Sequence, residues 1–452
     1  MQSNIDNSCL SCEMLARFKA SSKEHILSGR SREIRDNSLI SVMRSKDYSF
    51  ESIQYRYDGL VRHTPYDQKV SGKCWLCAGL NCARYLFSKN YGTDTIFSDS
   101  YLFFYDKLER ANFFLEQVIA LDGQTDNRVF DALMESPADD AGQWEMFLNL
   151  TRKYGLVPAD MMDNARDNED TTILTAQLND ILRSYARVLI EKHIKGADRQ
   201  YLREIKTNML ASVYGMLAAC LGEPPEIIRV CVKSNDGKTI IIEDNISPLQ
   251  FYNKYFGNEL DDYICVINIP CPRWPMDTRF ELLYTGNVIE GKNICLYNIQ
   301  LSVFKQLVEE QIQAGLPVWI GCDSRKYFDR SGGLLSLNII DRNLVPYEFA
   351  NMDKGNRVLY RISCANHAMV LTGLFEKSNV NEYLCVENSY GESFGDKGFG
   401  AMSYEWFDAF VFQAVIHKDY CSEFIQRTKQ KEPRFLYPWD PVAKLAKLEG
   451  RR

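Results

Sequence analysis

Apolar residues recur at helical spacing in the first half of the chain and gather into β-branched runs in the second. Leu76, Ala78, Leu80, Ala83 and Leu86 predict a helix over residues 74–90. Leu102, Phe103, Tyr105, Leu108, Phe113 and Phe114 predict a second over 101–120, packed on the first. A third is expected over 143–154, and 172–221 reads as two long amphipathic helices joined near Gly196. From about residue 225 the pattern changes. Residues 229–233, 239–243 and 263–269 predict strands. A helix over 301–314 and a strand over 318–322 follow. Two more strand-like runs, 367–375 and 382–388, flank a polar turn at 376–381. No internal repeat is visible. Residues 430–452 carry three prolines and a basic end, which predicts an extended tail.

Composition narrows the class. With 452 residues, 45% of them hydrophobic, a sizeable core is available, in one elaborated domain or two to three lobes. The net charge of −7 weighs against nucleic acid and anionic lipid as partners. Residues 1–8 are polar and lack an apolar signal core, and no run approaches the roughly 18 apolar residues of a membrane helix. The expectation is a cytosolic protein with no membrane contact. Fourteen cysteines are scattered, which in the cytosol predicts reduced and mostly buried thiols. Cys9 and Cys12 form a C-x-x-C pair without a second pair at zinc spacing, so neither a metal nor a cofactor is expected.

One cysteine is placed for chemistry. Cys74 lies where a loop turns into the first predicted helix, with Gln68 six residues before it. A helix start presents unpaired N–H groups and a positive dipole end, which stabilise a thiolate, the nucleophilic form. A thiol nucleophile needs a base, and the base an orienting group. Five histidines are available. His25 and His63 lie in polar surroundings, His193 near the end of a charged helix, and His417 at the exit of an apolar strand. His367 begins a predicted strand, and Asn388 ends the neighbouring one, 21 residues later. Adjacent strands can bring an imidazole and a side-chain amide within hydrogen-bond reach.

Gln68-x-x-Ser-Gly-x-Cys74-Trp75, Asn-His367-Ala and Glu-Asn388-Ser-x-Gly, in that order, resemble the papain-like cysteine peptidases, and most closely their bleomycin hydrolase and aminopeptidase C branch. Residues 98–110, 140–144, 317–323 and 438–441 match stretches typical of that branch, so the resemblance runs over nearly the whole chain. It implies an α+β, papain-like two-lobed fold in five parts. These are an N-terminal arm (1–60), a helical lobe with the nucleophile helix (61–160), a helical insertion (161–225), a β-barrel-like lobe carrying His367 and Asn388 (226–430), and a C-terminal arm reaching the cleft (431–452). It implies Cys74 as nucleophile, His367 as acid/base partner in a thiolate–imidazolium pair, and Asn388 as the group that orients the imidazole. Gln68 becomes an oxyanion donor beside the Cys74 N–H. Peptides become the substrates, hydrolysed from their N-termini, in a homohexamer with its active sites on an inner channel.

The chain departs from the family pattern at four places. Tyr390 stands where Trp usually covers the Asn–His bond, Lys73 where Arg usually precedes the nucleophile, and Cys77 where an aromatic is usual. Ala141 replaces a glycine before Gly142, in a segment that the resemblance pairs with the substrate backbone. In the family the tail carboxylate meets the substrate's α-amine near the position of Ala446. Here six more residues, 447–452, follow, enough to move it by up to roughly 20 Å if extended. Trimming of the tail to Ala446 by the enzyme itself would restore that anchor. Two other readings stay open: thiol–disulfide exchange through Cys74-Trp-Leu-Cys77, and a non-catalytic scaffold on the same fold.

Overall fold

The helix Cys74–Tyr91 is buried at every position from Trp75 to Phe87, so it runs through the centre of the molecule and carries no solvent face. It starts without a side-chain cap, the Lys73 carbonyl accepting from the N–H of Cys77, and it ends at Gly92 in the left-handed conformation (φ 63°). The computed structural model describes residues 9–25, 27–44, 56–162, 165–233, 239–341, 344, 352–377, 380–421, 425, 427–428 and 431–443.

Helices Asp99–Ala120 and Trp144–Tyr154 pack on one side of this central helix. Trp144–Tyr154 crosses at Gly79, where a Cβ would lie 2.7 Å from the Phe147 ring. Ser98 caps Asp99–Ala120 by accepting the Tyr101 N–H. The helices Thr172–Ile194 and Arg199–Leu221 turn back on each other through Gly196 (φ 92°) and pack on Asp99–Ala120. Their buried Leu178, Leu182, Leu189, Val213 and Leu217 extend the same core.

On the other side lies a sheet of twelve strands. Its order is Arg434–Leu436, Thr278–Leu282, Cys295–Asn298, Tyr263–Ile267, Val411–His417, Val318–Cys322, His367–Lys377, Val380–Glu387, Phe399–Ser403, Leu334–Leu335 and Phe328–Asp329. The twelfth strand, Arg56–Gly59, pairs with the far half of His367–Lys377. The molecule is thus mixed α and β.

Two placements differ from the sequence reading. Arg56–Gly59 falls in the segment expected to be an arm, yet it is a strand. Its four largely polar residues show no alternation, and its register is set far along the chain, where Gly59 faces Gly373 and a Cβ at Gly59 would lie 2.4 Å from the Thr372 carbonyl. Ile228–Lys233 and Thr239–Ile246 are strands as expected, but pair only with each other. Ile228, Val230 and Val232 are buried in the helical core while Arg229, Cys231 and Lys233 face solvent, so this hairpin covers the helices and does not extend the sheet.

Candidate active site

His367 is the first residue of its strand and pairs in register with Cys322, while Val370 pairs with Glu387 on the other side. That register brings Asn388, one residue beyond Glu387, to the same end of the sheet. His367 Nε2 lies 2.8 Å from Asn388 Oδ1. Asn388 Oδ1 also accepts the backbone N–H of Ser389 at 2.9 Å, which fixes it as the acceptor oxygen. Nε2 therefore carries the proton in this pair. Tyr390, where a tryptophan is usual, stacks its ring on the imidazole at 5.1 Å and 19°.

Cys74 opens the central helix and is half-buried. Burial pushes its thiol up to about 11, and the Asp140 carboxylate adds to this; the backbone N–H groups of Ala368, Trp75 and Cys74 pull it down. The helix start acts in the expected direction, but it does not outweigh burial. A thiolate at neutral pH therefore needs a cation at the sulfur.

Gln68 is buried and held on both faces of its amide. Its Nε2 donates to the Ser71 carbonyl at 2.7 Å, and its Oε1 accepts from the Ser389 hydroxyl at 2.5 Å. The second Nε2 hydrogen is left for a ligand. Ser389 had no spacing signal of its own, since 321 residues separate it from Gln68. With Gln68 as the proposed oxyanion donor, Gln68→Ala is expected to lower kcat by about 10²–10³. Ser389→Ala should lower kcat by less and leave KM in place, and a rise in KM alone would show that the amide only binds.

Around this centre the loop at 139–142 is pinned. Trp75 Nε1 donates to the Asp140 carbonyl, and Arg110 donates to the Ala141 carbonyl. A Cβ at Gly142 would lie 2.4 Å from the Trp75 ring, so that position takes only glycine. Burial works against the charge of Asp140. The Lys107 ammonium and the hydroxyls of Thr171 and Thr175 outweigh it and hold the carboxyl at about 2. Lys73, in place of the usual Arg, is buried and satisfied by Asp99 and Asn168. Cys77 is 1% exposed, and burial pushes its thiol well above the ordinary range, which disfavours its use in disulfide exchange. His63, read as lying in polar surroundings, has a buried side chain, 3.3 Å from the Asp94 carboxylate and packed on Tyr85.

Gln68, Cys74, Ala141, Gly142 and His367 line one cleft of 290 Å³, with Asn388 fully buried behind it. Ala141 also lines an adjoining cavity with Trp439 and Ala443, the last described residue of the tail. Ala446 lies outside the described residues, as does the tail beyond it. Among the described residues no group of three or more His, Cys, Asp or Glu side chains could hold a metal ion, and no helix is long and apolar enough to cross a membrane.

This constellation, a cysteine at the head of a central helix facing a histidine–asparagine pair on a sheet, is that of papain-like peptidases. Residues 10–443 match the sequence profile of the peptidase C1-like family, and the chain belongs to that family of cysteine-type peptidases. Within it, the chain is 34% identical to aminopeptidase C of Lactococcus lactis subsp. lactis over 413 residues, 91% of this chain and 93% of that protein. It is 34% identical to bleomycin hydrolase of Gallus gallus over 84% of this chain and 86% of the relative. The crystal structure of pepw from Lactobacillus rhamnosis superposes with a TM-score of 0.89 at 32% identity, covering 97% of this chain and all of that one.

Proposed function

We propose that this protein is a cysteine aminopeptidase that removes N-terminal residues from peptides. The observation that carries the reading is the pairing of His367 with Asn388 through Nε2 at a cleft that His367 and Cys74 line together. In this reading Cys74 attacks the scissile carbonyl as a thiolate. The carbonyl oxygen becomes an oxyanion, held by the Gln68 amide and the Cys74 N–H. Collapse breaks the C–N bond as the His367 imidazolium gives its proton to the leaving amine, and a thioester remains. His367, now neutral, takes a proton from water, whose hydroxide attacks the thioester, releasing the acid and the Cys74 thiolate.

Exopeptidase action requires something that reads the substrate's free amine. The approach of Trp439 and Ala443 to Ala141 supports a tail that does so, with a carboxylate near Ala446 as in the resembling branch. Homohexameric assembly and a cytosolic location belong to the same reading by resemblance.

Aminoacyl-coumarin substrates with free and acetylated N-termini test it. The free amine should be preferred at least tenfold in kcat/KM, one unpaired charge costing about 1.4 kcal/mol or more. Equal or better cleavage of the blocked substrate would overturn the exopeptidase reading.

A further inference from the structure

The cleft is unusual in its charge. The protein carries a net charge of −7, yet none of the described residues lining the cleft is an aspartate or glutamate. Two arginines line it, Arg325 and Arg330. Arg325 is neutralised at once, its Nε lying 3.1 Å from the buried Asp323 carboxylate. Arg330 has no such partner among the described residues. Its guanidinium lies 3.7 Å from the centre of the Tyr390 ring, and Tyr390 in turn stacks on the His367 imidazole. A cation–π contact of this kind holds the group in place without cancelling its charge.

Its position decides what it meets. The Ala141 and Gly142 side of the cleft adjoins the tail, where the amino end of the substrate lies in the proposed function. The leaving amine takes its proton from His367, so the residues after the scissile bond run past the imidazole toward Tyr390. Two extended residues span roughly 7 Å, enough to carry a side chain or chain end from the imidazole past one aromatic ring.

We propose that Arg330 forms a carboxylate-binding subsite on the leaving-group side, so that the enzyme favours peptides with a carboxylate one or two residues past the cleaved bond. The carboxylate is either an Asp or Glu side chain or the C-terminus of a very short peptide. Arginine suits both, because its fork matches a carboxylate in two parallel hydrogen bonds. The subsite rests on the aminopeptidase reading and refines its substrate class.

Competition between paired free-amine substrates tests it. Ala-Glu-amide runs against Ala-Gln-amide, and Ala-Ala-Ala against Ala-Ala-Ala-amide, with ratios of first-residue release giving relative kcat/KM. At low ionic strength the wild type should favour the carboxylate in at least one pair by about fivefold, the yield of one solvent-exposed ion pair near 1 kcal/mol. The pair that shows the preference identifies its source. Arg330→Gln should bring that ratio to about one, Arg330→Lys should keep part of it, and Arg330→Glu should invert it. Because Arg330 also packs on Tyr390, absolute rates can fall in all three variants, and the ratio is what separates carboxylate binding from simple support of the ring. A wild-type ratio near one in both pairs overturns the subsite, as does a ratio that Arg330→Gln leaves unchanged. Failure to cleave any free-amine substrate would remove the aminopeptidase reading and the subsite with it, whereas cleavage without discrimination removes the subsite alone.

Discussion

Cys74→Ala should lower peptide hydrolysis by at least about 10⁴-fold, while Cys77→Ala should leave turnover close to that of the wild type. The two thiols are one helical turn apart, yet their surroundings assign them opposite fates. Cys74 is half-buried on a cleft and receives three backbone N–H groups at its sulfur. Cys77 is buried in the core between the central helix and its neighbours, where burial keeps its thiol protonated. Removing Cys77 deletes a small apolar contact and touches no reacting atom. The comparison also separates the two chemistries that the Cys74-Trp-Leu-Cys77 spacing allows. Thiol exchange uses both sulfurs, so folded Cys77→Ala protein without activity would overturn the peptidase mechanism. An epoxysuccinyl inhibitor should label Cys74 in the wild type and nothing in Cys74→Ala; failure to label the wild type would support a non-catalytic scaffold.

His367→Ala should lower hydrolysis by about 10²–10⁴, the usual worth of a general acid, and should change its pH dependence. Burial, opposed by three backbone N–H groups, pushes the Cys74 thiol up to about 11. An imidazolium at the sulfur lowers this value by favouring the charged form. With His367 present, alkylation of Cys74 by iodoacetamide should be fast and nearly flat between pH 6 and 8. Without it, alkylation should be slow and rise about tenfold per pH unit through that range, because each unit of pH multiplies a rare thiolate by ten. The same flat profile in both proteins would mean that the helix start makes the thiolate unaided.

Much of this arrangement was legible in the chain because it is local. The central helix announces itself through Leu76, Leu80, Ala83 and Leu86 at 3.6-residue spacing, and the long helical pair through its leucines and Gly196. His367 and Asn388 could be brought together on paper because two consecutive strands join them. What was not legible depends on distant parts of the chain. Arg56–Gly59 becomes a strand through Gly373, and Ser389 orients Gln68 from the opposite end of the sequence. Arg330 enters the site through the Tyr390 ring and carries no motif. The thiol of Cys74 was read with the right sign for its helix start and without the larger opposing effect, because burial is a property of the assembled fold. The part played by Ala446 lies beyond the described residues.

The strand Val411–His417 lies between Tyr263–Ile267 and Val318–Cys322 and is the link that makes one sheet of two halves. It follows both His367 and Asn388 in the chain. A ribosome releases Cys74 long before His367, and His367 before this strand, and a chain folds only with the residues already released. During synthesis the nucleophile therefore exists without its proposed base, and then without the closed sheet that holds that base in register. The order of synthesis thus separates the making of the proposed nucleophile from the making of the sheet that positions its proposed partner.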